Sequence, residues 1–166
     1  LEEATRIENL SPRPTDVEEN FGTFASIRAG LLFRQGEQRP AMDRLEELIA
    51  TPDMDAEEID RMKVSLAQMR EQTGNNVGAR QLVEEVLARD ATQIDALKMK
   101  AAWLIDSDET DQAIVNLRSA LDQDPDDASV LTLLARAYER QGSRELMTDM
   151  LNRAVEASGR APAESL

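Results

Sequence analysis

The fold can be inferred from residues 97–125, which read LKMKAAWLIDSDETDQAIVNLRSALDQDP. Apolar side chains recur at intervals of three and four on both sides of the polar SDET segment. This spacing predicts two amphipathic helices joined by a tight turn. Alanine, leucine, glutamine and arginine are strong helix formers, and the stretch is rich in them. We therefore expect a helical hairpin here.

The apolar pattern of this hairpin returns every 34 residues along the chain. The positions that keep their character at this interval are Ala67, Ala101 and Ala135 in the first helix and Val83, Leu117 and Leu151 in the second. Three consecutive units, 60–93, 94–127 and 128–161, therefore follow one another without an insertion.

The same frame extends toward both ends of the chain. An earlier unit occupies 22–59 and includes four extra residues, 56–59, before the next unit begins. We predict a helix and a linker over 1–21, which fit the end of a preceding repeat, and a short tail over 162–166. Asp124 precedes a proline and is the predicted N-cap of the helix that follows.

The 34-residue period resembles that of the tetratricopeptide repeat family. The resemblance covers 22–161, and the family's small residue on the first helix falls on Ala29, Ala67, Ala101 and Ala135. It implies an all-α fold, a right-handed superhelical solenoid of antiparallel helix hairpins. A generic helical bundle with accidental spacing is the alternative, and three uninterrupted periods argue against it.

The composition excludes several classes of chemistry. The chain has 33 acidic and 19 basic residues, a net charge of −14, and neither histidine nor cysteine. It therefore lacks the side chains for a Cys/His zinc site, a disulfide or a Ser-His-Asp triad. The acidic segments 53–58 and 106–111 lack the glycine and glutamate of an EF-hand loop. We expect no enzyme, no cofactor and no metal site.

The charge and hydropathy also limit the partners. Nucleic acid is an unfavourable partner because phosphate contacts need clustered lysine and arginine. No apolar stretch is long enough to insert into a membrane. The sequence begins without methionine, so we expect that targeting information is missing from it, and the compartment stays open between cytoplasm and periplasm.

The resemblance implies that the first helices of successive repeats line a concave groove. Ten residues on these helices are the expected partner contacts: Phe33, Arg34, Arg61, Val64, Gln68, Lys98, Ala102, Ile105, Arg136 and Arg140. A groove lined in this way is much less acidic than the whole chain. It suits an extended peptide or a partner helix that is held by arginines and small apolar pockets.

Two functional hypotheses follow. The first is a non-catalytic scaffold for protein–protein interaction that binds a peptide or partner helix in the groove. The second is a structural segment of a longer bacterial array that self-associates through its ends. The second rests on similarity to the tetratricopeptide lipoproteins of bacterial envelope, secretion and exopolysaccharide systems. In the simplest alternative, the proposed groove residues form only a solvated face.

Overall fold

The computed structural model describes residues 21–52 and 54–159, so the helix predicted near the N-terminus and the tail over 162–166 lie outside the described residues. Within the described part the chain is all-helical. The eight helices, in chain order, are α1 (Phe21–Arg34), α2 (Gln38–Ile49), α3 (Ala56–Gln72), α4 (Asn76–Arg89), α5 (Ile94–Asp106), α6 (Thr110–Gln123), α7 (Ala128–Arg140) and α8 (Arg144–Gly159).

Three-residue turns join the two helices of each pair, and they repeat one backbone geometry. Each turn has a central residue in the left-handed region, at Gly36, Gly74, Asp108 and Gly142. In the last pair the Ser143 amide donates to the Tyr138 carbonyl at 2.9 Å and so closes the helix end. Glycine adopts this conformation without steric cost, and aspartate is among the few other residues that tolerate it.

The four extra residues 56–59 form the first turn of α3. This helix has 17 residues, whereas α5 and α7 have 13 each. Four residues are close to one helical turn, so the insertion lengthens the helix and leaves its apolar face almost unrotated. The boundary that the sequence places after residue 59 therefore lies inside a helix.

The start of α7 differs from the prediction. Asp124 is the C-cap of α6, and its amide still donates to the Ala120 carbonyl at 3.1 Å. The N-cap is Asp127, whose carboxylate accepts from the amides of Ser129 and Val130 at 2.7 and 3.0 Å. Asp124 was therefore the wrong choice, because the residues around Pro125 form the turn rather than the first turn of the helix.

The described chain divides into two compact units, one that ends at Val86 and one that begins at Leu87. In the second unit α5 packs on α6 and α7, α6 packs on α7, and α7 packs on α8. Its core combines fully buried side chains such as Leu117, Leu131 and Val130 with alanines that have almost no exposed surface. These alanines include Ala101, Ala113 and Ala120. A larger side chain at these alanines would overpack the helix crossings.

The first unit is held by α1, α2 and α3, which pack on one another. Its charged residues form ion pairs between helices. Lys63 on α3 lies 2.8 Å from Glu85 on α4, and Arg70 on α3 lies 2.8 Å from Glu46 on α2. These side chains are partly covered, and pairing compensates their loss of hydration.

A close approach of α1 to α3 requires glycine at position 22. The Gly22 amide donates to Glu58 Oε1 at 3.1 Å, and the Glu58 residue is buried. A β-carbon added at Gly22 would lie 2.8 Å from the β-carbon and the carbonyl oxygen of Glu58. Backbone atoms cannot move aside like the end of a flexible side chain, so any substitution here shifts one helix.

We expect Gly22→Ala to lower the free energy of unfolding by about 1–3 kcal/mol, because the new methyl group overpacks the contact with α3. Gly30→Ala on the same helix is the matched control, since nothing lies within 4 Å of its added β-carbon. It should raise stability by roughly 0.5–1 kcal/mol through helix propensity. Urea unfolding followed by circular dichroism measures both, and equal effects would contradict the close approach.

Candidate functional site

The ten residues predicted to line a groove all lie on the first helix of a pair, five in each unit. The first unit carries Phe33 and Arg34 on α1 and Arg61, Val64 and Gln68 on α3. The second unit carries Lys98, Ala102 and Ile105 on α5 and Arg136 and Arg140 on α7.

Three of the ten are not accessible to a partner. Phe33, Val64 and Ile105 are buried, and Ile105 has no exposed surface at all. Ile105 belongs to the apolar core of the second unit, where α5 packs against both α6 and α7. The predicted set is corrected accordingly, because these three side chains belong to the packed interior.

In the first unit the accessible members are polar. Arg34 and Gln68 are exposed, and the Arg61 guanidinium lies 3.8 Å from the carboxylate of Glu57, one turn earlier on α3. Two buried polar atoms, Ser26 Oγ and Arg61 Nε, have no hydrogen-bond partner among the described residues. This part of the unit therefore offers charge and amide groups but no apolar pocket made by the predicted residues.

In the second unit every predicted cation is paired with an aspartate. Lys98 Nζ lies 2.7 Å from Asp95 and 3.3 Å from Asp127. Arg140 Nη1 lies 3.0 Å from Asp108 Oδ1.

Arg136 forms an ion pair with Asp106, so pairs connect α7 with the end of α5 and the turn that follows it. We call the surface formed by Lys98, Ala102, Asp106, Asp108, Arg136 and Arg140 the charge-paired face.

The pairs on the charge-paired face differ in exposure. The Lys98 and Asp127 side chains are 23% and 16% exposed, whereas Arg136 and Asp106 are 44% and 58% exposed. Arg140 is as exposed as Arg136. Since exposed ion pairs contribute only about 0–1 kcal/mol, the two arginines can change partners at little cost. Lys98 instead pairs with Asp127, the N-cap of α7, and so supports the start of that helix.

The ionisation of Asp127 is coupled to this cap. Partial burial acts to raise the pKa of Asp127. The amides of Val130 and Ser129 and the ammonium of Lys98 more than offset that effect, so the pKa is lower than the ordinary value. Burial likewise opposes the charge of Lys98, but Asp95 and Asp127 together raise the pKa of Lys98. The pair is therefore charged across the neutral range.

The ten predicted residues include none of the aspartates that pair with these cations, and two of the missing aspartates are Asp108 and Asp127. Both lie outside the regular helices, one in the turn after α5 and one at the N-cap of α7. The expectation of a groove much less acidic than the whole chain took only helix positions into account. A sequence signal did exist for Asp127, since aspartate just before an apolar helical run is a favoured N-cap.

Other kinds of site find little support in the described residues. No group of three or more acidic side chains there is arranged to hold a metal ion. An open cleft of about 570 Å³ in the first unit is lined by residues that include Arg39, Asp43, Glu46 and Arg70. These charges are paired with one another across the cleft or along α2. None of the described helices is long and apolar enough to cross a membrane.

Helix pairs joined by one recurring turn and packed through small residues define the class of helical-hairpin repeat proteins. Residues 104–159 match the family model described as tetratricopeptide repeat. This range contains the end of α5 and all of α6, α7 and α8. This match confirms the resemblance to the tetratricopeptide repeat family that is seen in the sequence. No curated protein matches the chain.

Solved structures confirm the predicted all-α fold. MamA 41-end from Desulfovibrio magneticus RS-1 is 19% identical, with a TM-score of 0.63 over 83% of this chain and 76% of that one. Another MamA crystal structure is 16% identical, with a TM-score of 0.61 over 91% of this chain and 80% of that one.

YrrB, described as a TPR protein with an unusual peptide-binding site, is 14% identical, with a TM-score of 0.60 over 88% of this chain and 73% of that one. At these identities the likeness shows the fold alone.

We expect Asp127→Asn to lower the free energy of unfolding at pH 7 by roughly 0.5–1 kcal/mol, because asparagine keeps the cap but loses the ion pair with Lys98. The folded-state pKa of Asp127 is lowered, so its stabilisation is present above the unfolded value near 3.8. It is lost as the pH falls through the lower folded value. The difference between wild type and variant should therefore shrink below about pH 4.

Urea unfolding at several pH values between neutral and acidic measures this difference. Asp122→Asn removes one exposed carboxylate from α6 and controls for the change in net charge. A difference between wild type and Asp127→Asn that stays constant down to acid pH would contradict the coupling between cap and ion pair.

Proposed function

We propose that the protein is a non-catalytic interaction scaffold that binds a peptide or partner helix along the charge-paired face. Its tetratricopeptide-type repeat fold is consistent with a protein-interaction scaffold. The observation that carries the proposal is the pair of arginines, Arg136 and Arg140, whose aspartate partners are well exposed.

The physical basis of binding is an exchange of ion pairs. A carboxylate of the partner replaces Asp106 or Asp108 beside an arginine, and the guanidinium group can hold it with two parallel hydrogen bonds. The displaced aspartate regains water or meets a cation of the partner. A segment that carries both acidic and basic side chains therefore fits this face better than a purely acidic one.

Two residues beside the charged groups have short side chains. Ala102 is half-buried on α5 between Lys98 and Asp106, and Thr132 is exposed on α7 one turn before Arg136. In the proposed complex, these short side chains allow an apolar side chain of the partner to approach the charged groups. In the first unit Arg34, Arg61 and Gln68 stay proposed contacts, whereas Lys98 serves mainly to support the start of α7.

The similar fold of YrrB, whose description includes a peptide-binding site, supports a peptide as the ligand class. The absence of histidine and cysteine from the sequence supports a binding role over a catalytic one. An extended peptide and an amphipathic helix both satisfy the exchange, so the proposal names the contact chemistry rather than one backbone shape.

The test is a selection of short peptides from a displayed library on the immobilised protein, followed by titration of the best binders. We expect enriched sequences to contain aspartate or glutamate together with lysine or arginine. Arg136→Glu with Arg140→Glu should weaken their binding by about tenfold or more, because the exchanged carboxylates are then repelled. The melting temperature should change little, since the lost ion pairs are exposed.

A matched control makes the same change of charge on another surface. Arg39→Glu with Arg44→Glu alters two arginines of α2 that form exposed pairs with Asp43 and Glu47. This control should bind within about twofold of wild type, and added salt should weaken binding to wild type. Equal loss of binding in both double variants, or none in either, would overturn the charge-paired face as the site.

A further inference from the structure

One of the four turns between paired helices departs from the glycine pattern of the others. The central φ values of these turns are +94°, +83°, +64° and +74°, at Gly36, Gly74, Asp108 and Gly142 respectively. Asp108 is the only one of these four residues that has a side chain. Glycine adopts left-handed backbone without steric cost, whereas a β-carbon approaches the following carbonyl oxygen there. Asp108 is therefore held in a conformation for which glycine is better suited.

The backbone of this turn does not require an aspartate. The hydrogen bonds that the Asp108 and Glu109 amides donate to backbone carbonyls, at 3.2 and 2.8 Å, have counterparts of 2.9 Å each in the turn at Gly142. Among the described residues, the Asp108 carboxylate pairs with Arg140 on α7, 3.0 Å away, and not with an amide of its own turn. The side chain therefore serves a contact outside the turn.

The sequence matches this aspartate with an arginine. Arg140 follows Asp108 by 32 residues, and the same step from Gly74, in the turn one repeat earlier, leads to Asp106. Where the residue at this step is an arginine, the turn carries a carboxylate, and where it is an aspartate, the turn carries glycine. Both turns share one geometry, so turn geometry does not account for this choice of residue.

Asp108 is also the most exposed charge of the charge-paired face. Its side chain is 80% exposed, compared with 58% for Asp106 and 44% for Arg136 and Arg140. An ion pair with this exposure stabilises a protein little, so it does not offset the cost of left-handed backbone. The same exposure lets a cation of a partner reach the carboxylate.

We propose that Asp108 is the specificity-determining residue of the charge-paired face. It selects partner segments that carry a lysine or arginine within reach of the carboxylate that Arg140 binds. The Asp108 carboxylate, released from Arg140, then pairs with that cation. A segment without a cation leaves two carboxylates beside one guanidinium group, which is unfavourable. This inference rests on the proposed function, because it concerns the partner of the same face.

The proposal predicts opposite effects of one substitution on stability and on selectivity. Asp108→Gly restores the residue of the other three turns, so the melting temperature should rise by about 2–4 °C. The same substitution removes the carboxylate and should remove the preference for a partner cation. Asp108→Asn isolates the charge, because asparagine tolerates left-handed backbone as aspartate does. It should lose the preference with little change in melting temperature.

The experiment uses the full chain and two labelled peptides. One is a mixed-charge peptide selected on the immobilised wild type, and the other is the same peptide with each lysine and arginine replaced by glutamine. Fluorescence anisotropy measures both dissociation constants. Wild type should prefer the mixed-charge peptide by about tenfold, and both Asp108 variants by about twofold or less. Asp122→Asn, which removes an exposed carboxylate of α6, should keep the wild-type preference.

The outcomes separate this inference from the proposed function. Equal binding of both peptides to wild type, or a preference that persists in Asp108→Asn, would overturn the role of Asp108. The proposed function would still stand if Arg136→Glu with Arg140→Glu abolished binding. Binding that is insensitive to both arginines, or a selection that yields no binders with lysine or arginine, would overturn both. A melting temperature of Asp108→Gly at or below that of wild type would contradict the backbone strain.

Discussion

Close crossing of helices at alanine positions is the constraint on which the rest of the second unit depends. Ala101, Ala113 and Ala120 are fully buried, so a side chain larger than a methyl group would overpack these positions. This closeness lets larger side chains such as Leu117 interdigitate and places α5 beside α7. The contact of Gly22 with Glu58 in the first unit is tighter still, because it does not leave space even for a β-carbon.

The sequence predicted the helix pairs and their turns because a 34-residue period imposes the same apolar face and the same turn geometry in each unit. The sequence-based prediction of helix boundaries was wrong where the local sequence allows more than one choice. Asp124 and Asp127 are both plausible caps beside Pro125, and the choice depends on how far α6 continues, which packing sets. Residues 56–59 read as an insertion between units, although one extra helical turn fits inside α3.

The candidate site was predicted only in part, for a related reason. Helical periodicity tells which side of α5 a residue faces, but the burial of Ile105 depends on how closely α6 and α7 approach that end of the helix. The carboxylates that pair with Arg136 and Arg140 lie about one repeat earlier in sequence. Such partners become visible only when neighbouring repeats are placed side by side.

The ion pairs of Arg136 and Arg140 also affect how the net negative charge of the chain influences the proposed binding of a partner. At a net charge of −14 the chain repels anionic partners at long range, but salt screens that repulsion beyond about 8 Å under physiological conditions. In the proposed exchange, affinity for a partner carboxylate therefore depends on short-range contacts with Arg136 and Arg140. A purely acidic segment would be disfavoured because Asp106 and Asp108 stay nearby. A segment of mixed charge would pair with both the arginines and the aspartates, so in this proposal the paired aspartates supply the selectivity.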